Sequence, residues 1–264
     1  MAITTPAVTS RRNFIRLTGT LGMAAGLAAS VAACGKGGKA AKKDGVITAG
    51  ISYELGTNGY DPASTTAALT IAANWHTMEG LTEIHPATRK VYAALAAEMP
   101  KKVDDTTYEV TLRKDAKFSN GSPVTTEDVL YSFQRVIDPA NKSLYAQFLS
   151  FVDKVEAKDA STITFKLKHA FVLLPERLSV VKIVPKAVVE ADPKNFTYKV
   201  VGTGPYKMTD NGAAKQVIVF ERNDHYNGPY PALVKTMKWN IMPDDTTRTN
   251  AMTSGSVQAI DAVP

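Results

Sequence analysis

The chain has 264 residues and a mass of 28.4 kDa; it is 44% hydrophobic and 21% charged, with a mean hydropathy of −0.12, which excludes a disordered chain, a collagen-like fibre and a polytopic membrane protein. One cysteine excludes a disulfide framework and a thiolate zinc cluster, and the four scattered histidines (His76, His85, His169, His225) offer no metal-binding spacing. The net charge of +6 includes three arginines among the first 33 residues, which hold no acid; 28 basic against 25 acidic residues remain, a near balance that gives no nucleic-acid signal.

Residues 1–33 read as an export signal. Arg11 and Arg12 form a twin-arginine-like pair, a small-residue apolar run follows from Leu17 to Ala33, and Val31-Ala32-Ala33-Cys34 resembles a lipobox. Cys34 is then the acylated residue and the new N-terminus; the competing reading of the run is a plain membrane anchor. Residues 34–45, rich in Gly and Lys, read as a flexible tether near anionic headgroups. Their glycines are followed by no Lys-Ser/Thr pair, so they make no phosphate loop.

The first strand is expected at Val46–Ser52, followed by a turn-rich stretch and a helix over Thr65–Leu81 that packs through Leu69, Ala72, Ala73 and Trp75. Thr107–Arg113 alternates, with Tyr108, Val110 and Leu112 on one face. Ser119-Asn120-Gly121-Ser122-Pro123 is a turn, because Asn-Gly suits positive φ and Pro123 cannot continue a ladder. A helix then starts at an N-cap, Thr125, with Asp128 in the capping-box position, and runs to Asp138-Pro139 with Val129, Phe133 and Val136 inward. Tyr145, Phe148 and Phe151, spaced by three, are either a core-facing helical stripe or one wall of an apolar cleft. Thr162–Lys168 alternates again. Gly202-Thr203-Gly204-Pro205-Tyr206 is a tight loop, Gln216–Glu221 and Thr236–Ile241 are strands, Asp244–Ser254 is a helix capped by Gly255, and Val257–Ile260 is a last strand.

No catalytic arrangement is legible. G-x-S-x-G and H-E-x-x-H are missing, and Gly202-x-Gly204 lacks the third glycine of a dinucleotide loop. The acidic pairs Glu127-Asp128 and Asp244-Asp245 fall at helix starts, where carboxylates complement exposed N–H groups. No catalytic residue, metal site or cofactor is therefore expected.

The stretch from Leu112 to Arg135, "LRKDAKFSNGSPVTTEDVLYSFQR", resembles the signature of the solute-binding proteins of family 5, the peptide/nickel type, nearest the oligopeptide-binding branch. Tyr60-Asp61-Pro62, Glu79-Gly80-Leu81, Val201–Tyr206, Glu221–Tyr226 and Ser254–Val257 match in the same order; Gln258 departs from the usual aspartate. The resemblance implies an α/β fold of type II periplasmic-binding-protein-like lobes with mixed β-sheets. Residues 46–80 plus 202–264 are expected to form a split first lobe and 81–201 an inserted second lobe, with the C-terminal lobe missing and the sequence truncated.

What the resemblance further implies is a receptor and not an enzyme: two lobes close on an oligopeptide or dipeptide and deliver it to the permease subunits of an ABC importer. By position, Thr66 and Ala68 offer backbone groups to the ligand, and Tyr145 faces it. The expected partners are a peptide, the permease transmembrane subunits and, through lipid, the outer face of the cytoplasmic membrane or the periplasm, with no nucleic acid and a monomeric state. Nickel chelates or another solute, a non-binding remnant and a secreted hydrolase are the alternatives.

Overall fold

A computed structural model describes residues 45–56 and 59–263. The export-signal residues Arg11 and Arg12, the lipidation candidate Cys34 and nearly all of the expected tether lie outside the described residues.

Strand β1 (Val46–Ile51) leads through the Tyr60–Ala67 loop to helix α1 (Ala68–Thr77). Strands β2 (Thr82–Ile84), β3 (Val91–Ala93), β4 (Lys101–Lys102) and β5 (Thr107–Thr111) precede helix α2 (Thr126–Ile137). Two single 3₁₀ turns, Pro139–Asn141 and Ala146–Leu149, lead to β6 (Val152–Ala157) and β7 (Thr162–Leu167). Short helices α3 (Leu174–Arg177), α4 (Lys186–Ala191) and α5 (Pro193–Tyr198) follow. The chain closes with β8 (Tyr206–Asn211), β9 (Val217–Arg222), β10 (Thr236–Ile241), α6 (Asp245–Thr253) and β11 (Ala259–Ile260).

The strands form three sheets. A five-stranded mixed sheet has the order β11-β1-β10-β9-β8, with β1 parallel to both β10 and β11 and the remaining pairs antiparallel. An antiparallel four-stranded sheet has the order β4-β5-β7-β6, and β2 pairs with β3 alone.

Each large sheet anchors its own apolar cluster. Alternation along β5 and β7 turns Tyr108, Val110, Ile163, Phe165 and Leu167 inward, against Val129, Phe133 and Val136 of α2. Phe133 meets Phe165 edge to face at 5.0 Å between ring centres. The second cluster joins Ile218, Phe220, Met237 and Trp239 of the five-stranded sheet to Leu69 and Ala73 of α1. Val184, Val189, Phe196 and Val200 pack in this second cluster, so the residues before Gly202 already belong to its core.

Helix α2 begins as expected: the Thr125 hydroxyl accepts from Asp128 N–H at 3.2 Å, and the Asp128 carboxylate accepts from Thr125 N–H at 2.9 Å. Helix α1 is shorter than the expected Thr65–Leu81. At its C-terminal end the Gly202–Gly204 backbone crosses Thr77, and Gly204 N–H donates to the Thr77 carbonyl at 3.0 Å. A Cβ on Gly204 would lie 2.5 Å from the His76 carbonyl oxygen, and one on Gly202 would lie 2.2 Å from that of Thr77. Met78 then turns extended, with φ −135°. Trp75, expected to pack, is 56% exposed. The helical stripe expected over Tyr145, Phe148 and Phe151 is one 3₁₀ turn; Phe151 is buried and stacks on Phe171 at 3.9 Å, whereas Phe148 is exposed.

Candidate ligand-binding groove

The Tyr60–Ala67 loop is fastened from three directions. Asp61 accepts from Arg135 of α2 through both oxygens, at 3.1 and 2.5 Å, with side chains only 10% and 18% exposed. The Ser143 hydroxyl donates to the Ala63 carbonyl at 2.8 Å, and the Tyr145 hydroxyl donates to the Thr65 carbonyl at 3.0 Å. From α1, Thr70 Oγ1 donates to the Gly59 carbonyl and Asn74 Nδ2 to the Tyr60 carbonyl. Bidentate, partly buried pairing of this kind fixes a loop in place more firmly than a surface ion pair.

Held this way, the loop presents Thr66, Ala67 and Ala68 to solvent. The peptide N–H and C=O of Thr66 make no hydrogen bond among the described residues. Ala68 is the first residue of α1, so its carbonyl enters the helical ladder and only its N–H remains free for a ligand. Tyr145 is half-buried beside Thr65, and burial raises its pKa. Its proton is committed to Thr65, which leaves its oxygen as an acceptor. The structure thus brings Tyr145 to within hydrogen-bond reach of the Thr66 loop, although 79 residues separate Tyr145 from Thr66 in the sequence.

Of these groups Tyr145 lines a groove of about 290 Å³ between α1, the Ala146–Leu149 turn and the Arg177–Lys182 segment. Pro62, Ile71, Trp75 and Phe148 supply apolar wall; Asn74, Arg177 and Lys182 supply polar wall. Arg177 and Asn74 carried no motif and escaped the sequence reading; only their packing against Phe148 and Tyr60 places them here.

Elsewhere the polar clusters are structural. Glu79 pairs with Arg113 at 3.0 Å, and Arg113 lies over the Tyr226 ring at 5.6 Å. Burial pushes the Glu79 pKa up while Arg113 opposes the shift. His76 packs edge-on against Trp239 at 5.4 Å, and burial lowers its pKa to about 4. Among the described residues no group of three or more His, Cys, Asp or Glu side chains could hold a metal ion, and no helix is long and apolar enough to cross a membrane.

The profile of the bacterial extracellular solute-binding proteins, family 5 (middle region), matches residues 90–264. The chain is 35% identical to protein XP55 of Streptomyces lividans over 168 residues, covering 62% of this chain and 30% of that one. It is 27% identical to the dipeptide-binding protein DppE of Bacillus subtilis (strain 168) over 269 residues, covering 90% of this chain and 48% of the relative. The solved structure of AgaA from A. tumefaciens R10 in complex with agropinic acid superposes with a TM-score of 0.76 at 27% identity, covering 83% of this chain and 44% of that one. The chain therefore spans less than half the length of these relatives. The α/β architecture with mixed sheets agrees with the fold expected from the sequence.

Proposed function

The chain belongs to the bacterial extracellular solute-binding proteins of family 5, and on that premise we propose that it is the receptor half of a peptide importer. It takes up an oligopeptide or dipeptide outside the cytoplasmic membrane and passes it to the permease subunits of an ABC transporter. The observation that carries this reading is the exposed, unpaired Thr66 backbone next to Thr65, whose carbonyl accepts from the groove-lining Tyr145 hydroxyl. A peptide binds well to such a surface, because its own N–H and C=O groups pair with the free main chain while its side chains project into a roomy, wet space. The dipeptide-binding name of one relative points the same way.

In this reading no bond of the ligand is broken, Cys34 carries the lipid anchor, Arg11 and Arg12 direct export, and the receptor works as a monomer. Residues 46–80 with 202–264 form one lobe and 81–201 the other, with 184–200 packed onto the first. Thr66, Ala68 and Tyr145 contribute the ligand contacts of this half.

The test is a calorimetric titration of the full chain with tri-alanine and di-alanine. Saturable binding that weakens at least several-fold in Tyr145→Ala, with the thermal unfolding profile retained, supports the reading. Heats equal to dilution for both peptides overturn it.

A further inference from the structure

Strand β6 lies at one edge of the four-stranded sheet and pairs with β7 alone. Opposed residues of antiparallel strands alternate between pairs that exchange hydrogen bonds and pairs that do not. Leu112 N–H donates to the Ser161 carbonyl and Leu167 N–H to the Thr106 carbonyl, which fixes the phase: Ile163 and Phe165 turn their main chain to β5, and Thr162, Thr164 and Lys166 turn theirs to β6. Lys158 N–H donates to the Thr162 carbonyl in the same phase. Lys154 and Glu156 therefore bond to β7, and the N–H and C=O groups of Val155 and Ala157 point away from the sheet, with no partner among the described residues.

A groove of about 570 Å³ lies beside this edge, between β6, α2 and α4. Leu130, Tyr131 and Ile137 of α2 and Val152 and Val155 of β6 give it apolar walls. A register shift between Val152 and Lys154 takes Asp153 out of the ladder, and Asp153 lines the groove. A second cavity of about 530 Å³ shares Glu127, Lys186 and Glu190 with the first, so the open path continues past α4 toward the Asn120–Thr125 turn. An elongated space beside free main-chain donors and acceptors suits an extended chain. None of its lining residues lines the groove of Tyr145.

The charges select the occupant. Lys154 is paired with Glu156, and Lys186 with Glu127, so both cations of the first cavity are already neutralised. Asp153 and Glu190 form no hydrogen bond or ion pair among the described residues. Two uncompensated carboxylates beside apolar walls favour long cationic side chains, whose stems cover the walls while their heads reach the acids. We infer that β6 is a docking edge for an extended, basic segment of a partner protein. The segment adds as a fifth strand, antiparallel like the other pairs of this sheet, bonds to the main chain of Val155 and Ala157, and turns its basic side chains toward Asp153 and Glu190. The site is separate from the ligand groove and does not depend on the receptor reading.

The experiment titrates the full chain by calorimetry with a hexapeptide of alternating lysine and threonine, capped at both ends, and with its glutamate–threonine counterpart. The lysine peptide is expected to bind about tenfold more tightly than the glutamate peptide, and hydrogen exchange is expected to show the Val155 and Ala157 amides newly protected in its presence. In an antiparallel pair the lysines that face the groove are also the residues that bond to the edge, so N-methylation of the lysines is expected to abolish binding. Asp153→Asn with Glu190→Gln is expected to lose the preference for lysine over glutamate. Ala157→Pro removes an outward N–H without touching the ladder to β7, and is expected to weaken the lysine peptide several-fold.

Binding of neither peptide, equal binding of both, or undiminished binding of the N-methylated peptide overturns the docking edge. Binding that leaves the Val155 and Ala157 amides unprotected does the same. If Ala157→Pro fails to fold, the N-methylated peptide on the unmodified chain decides the main-chain pairing. Tri-alanine in the same series separates the edge from the ligand groove. A lysine peptide displaced by tri-alanine occupies the groove of Tyr145, which overturns the docking edge and leaves the receptor standing. A lysine peptide that binds where tri-alanine gives only heats of dilution supports the edge and removes the receptor reading.

Discussion

The Tyr145 hydroxyl donates to the Thr65 carbonyl at 3.0 Å and so ties the loop after α2 to the loop before α1. With the Ser143–Ala63 and Arg135–Asp61 contacts, this phenolic hydrogen bond joins two backbone segments far apart in sequence. Tyr145→Phe keeps the ring and removes the bond, and is expected to lower stability by about 1 kcal/mol, the net value of a typical hydrogen bond. A urea titration with an unchanged slope and a lower midpoint would show it. An unchanged midpoint would mean that the loop is held by its contacts through Asp61, Ser143, Thr70 and Asn74 without this bond.

Asp61 and Arg135 bear more of the load. Asp61→Asn leaves a partly buried guanidinium facing a neutral amide, and breaking one side of a buried pair costs about 3–5 kcal/mol; the residual exposure of this pair places it at the lower end. Replacing both groups, in Asp61→Asn with Arg135→Met, removes the stranded charge. The double variant is expected to be more stable than Asp61→Asn alone, measured as a double-mutant cycle. A double variant less stable than either single one would contradict this account.

His76 predicts an acid limb of stability. Its folded pKa is lowered to about 4, below the ordinary histidine value of 6.5, because burial among Trp239, Tyr206 and Phe220 disfavours the cation. Above pH 6.5 both folded and unfolded states are neutral there, and the group has no effect. Between 6.5 and about 4 only the unfolded chain takes up the proton, so stability falls as pH falls. The loss is of the order of 3 kcal/mol at 1.36 kcal/mol per pKa unit. His76→Phe is expected to flatten this limb in melting temperatures recorded from pH 7 to 4; an undiminished slope would assign it to the carboxylates instead.

Gly204 is required by space and not by its backbone angles. An added Cβ would sit 2.5 Å from the His76 carbonyl oxygen and 2.6 Å from the Thr77 carbonyl carbon, contacts that no side-chain rotation relieves. Gly204→Ala is expected to lose several kcal/mol or fail to fold, as steric conflict with fixed backbone does in a packed interior. Gly56→Ala, whose nearest new neighbour is the Ala67 Cβ at 4.0 Å, is the matched control and should stay within about 1 kcal/mol of the parent.

The elements easiest to read were those whose information is local. The capping box at Thr125 and Asp128, the inward Val129, Phe133 and Val136, and the alternation of Ile163, Phe165 and Leu167 all appear as the periodicities indicated. The C-terminal end of α1 could not be read, because it is set by Gly202 and Gly204, which arrive from more than 120 residues away in the chain. The fate of Tyr145, Phe148 and Phe151 was equally hidden: spacing by three suits a helix face, yet a single 3₁₀ turn sends Phe151 inward and leaves Phe148 on the groove.

By itself the sequence determined the mixed α/β composition, the main strands and helix α2, and, through the Leu112–Arg135 motif, the family. Local propensity, capping and two-residue or 3.6-residue periodicity act between near neighbours, and those are written along the chain. Only the tertiary structure decided that Thr66 keeps an unpaired backbone, that Tyr145 reaches Thr65, and that Asn74 and Arg177 share one groove. Those facts depend on which donors and acceptors remain after every other polar group has found its partner, and that accounting closes only when distant segments are packed together.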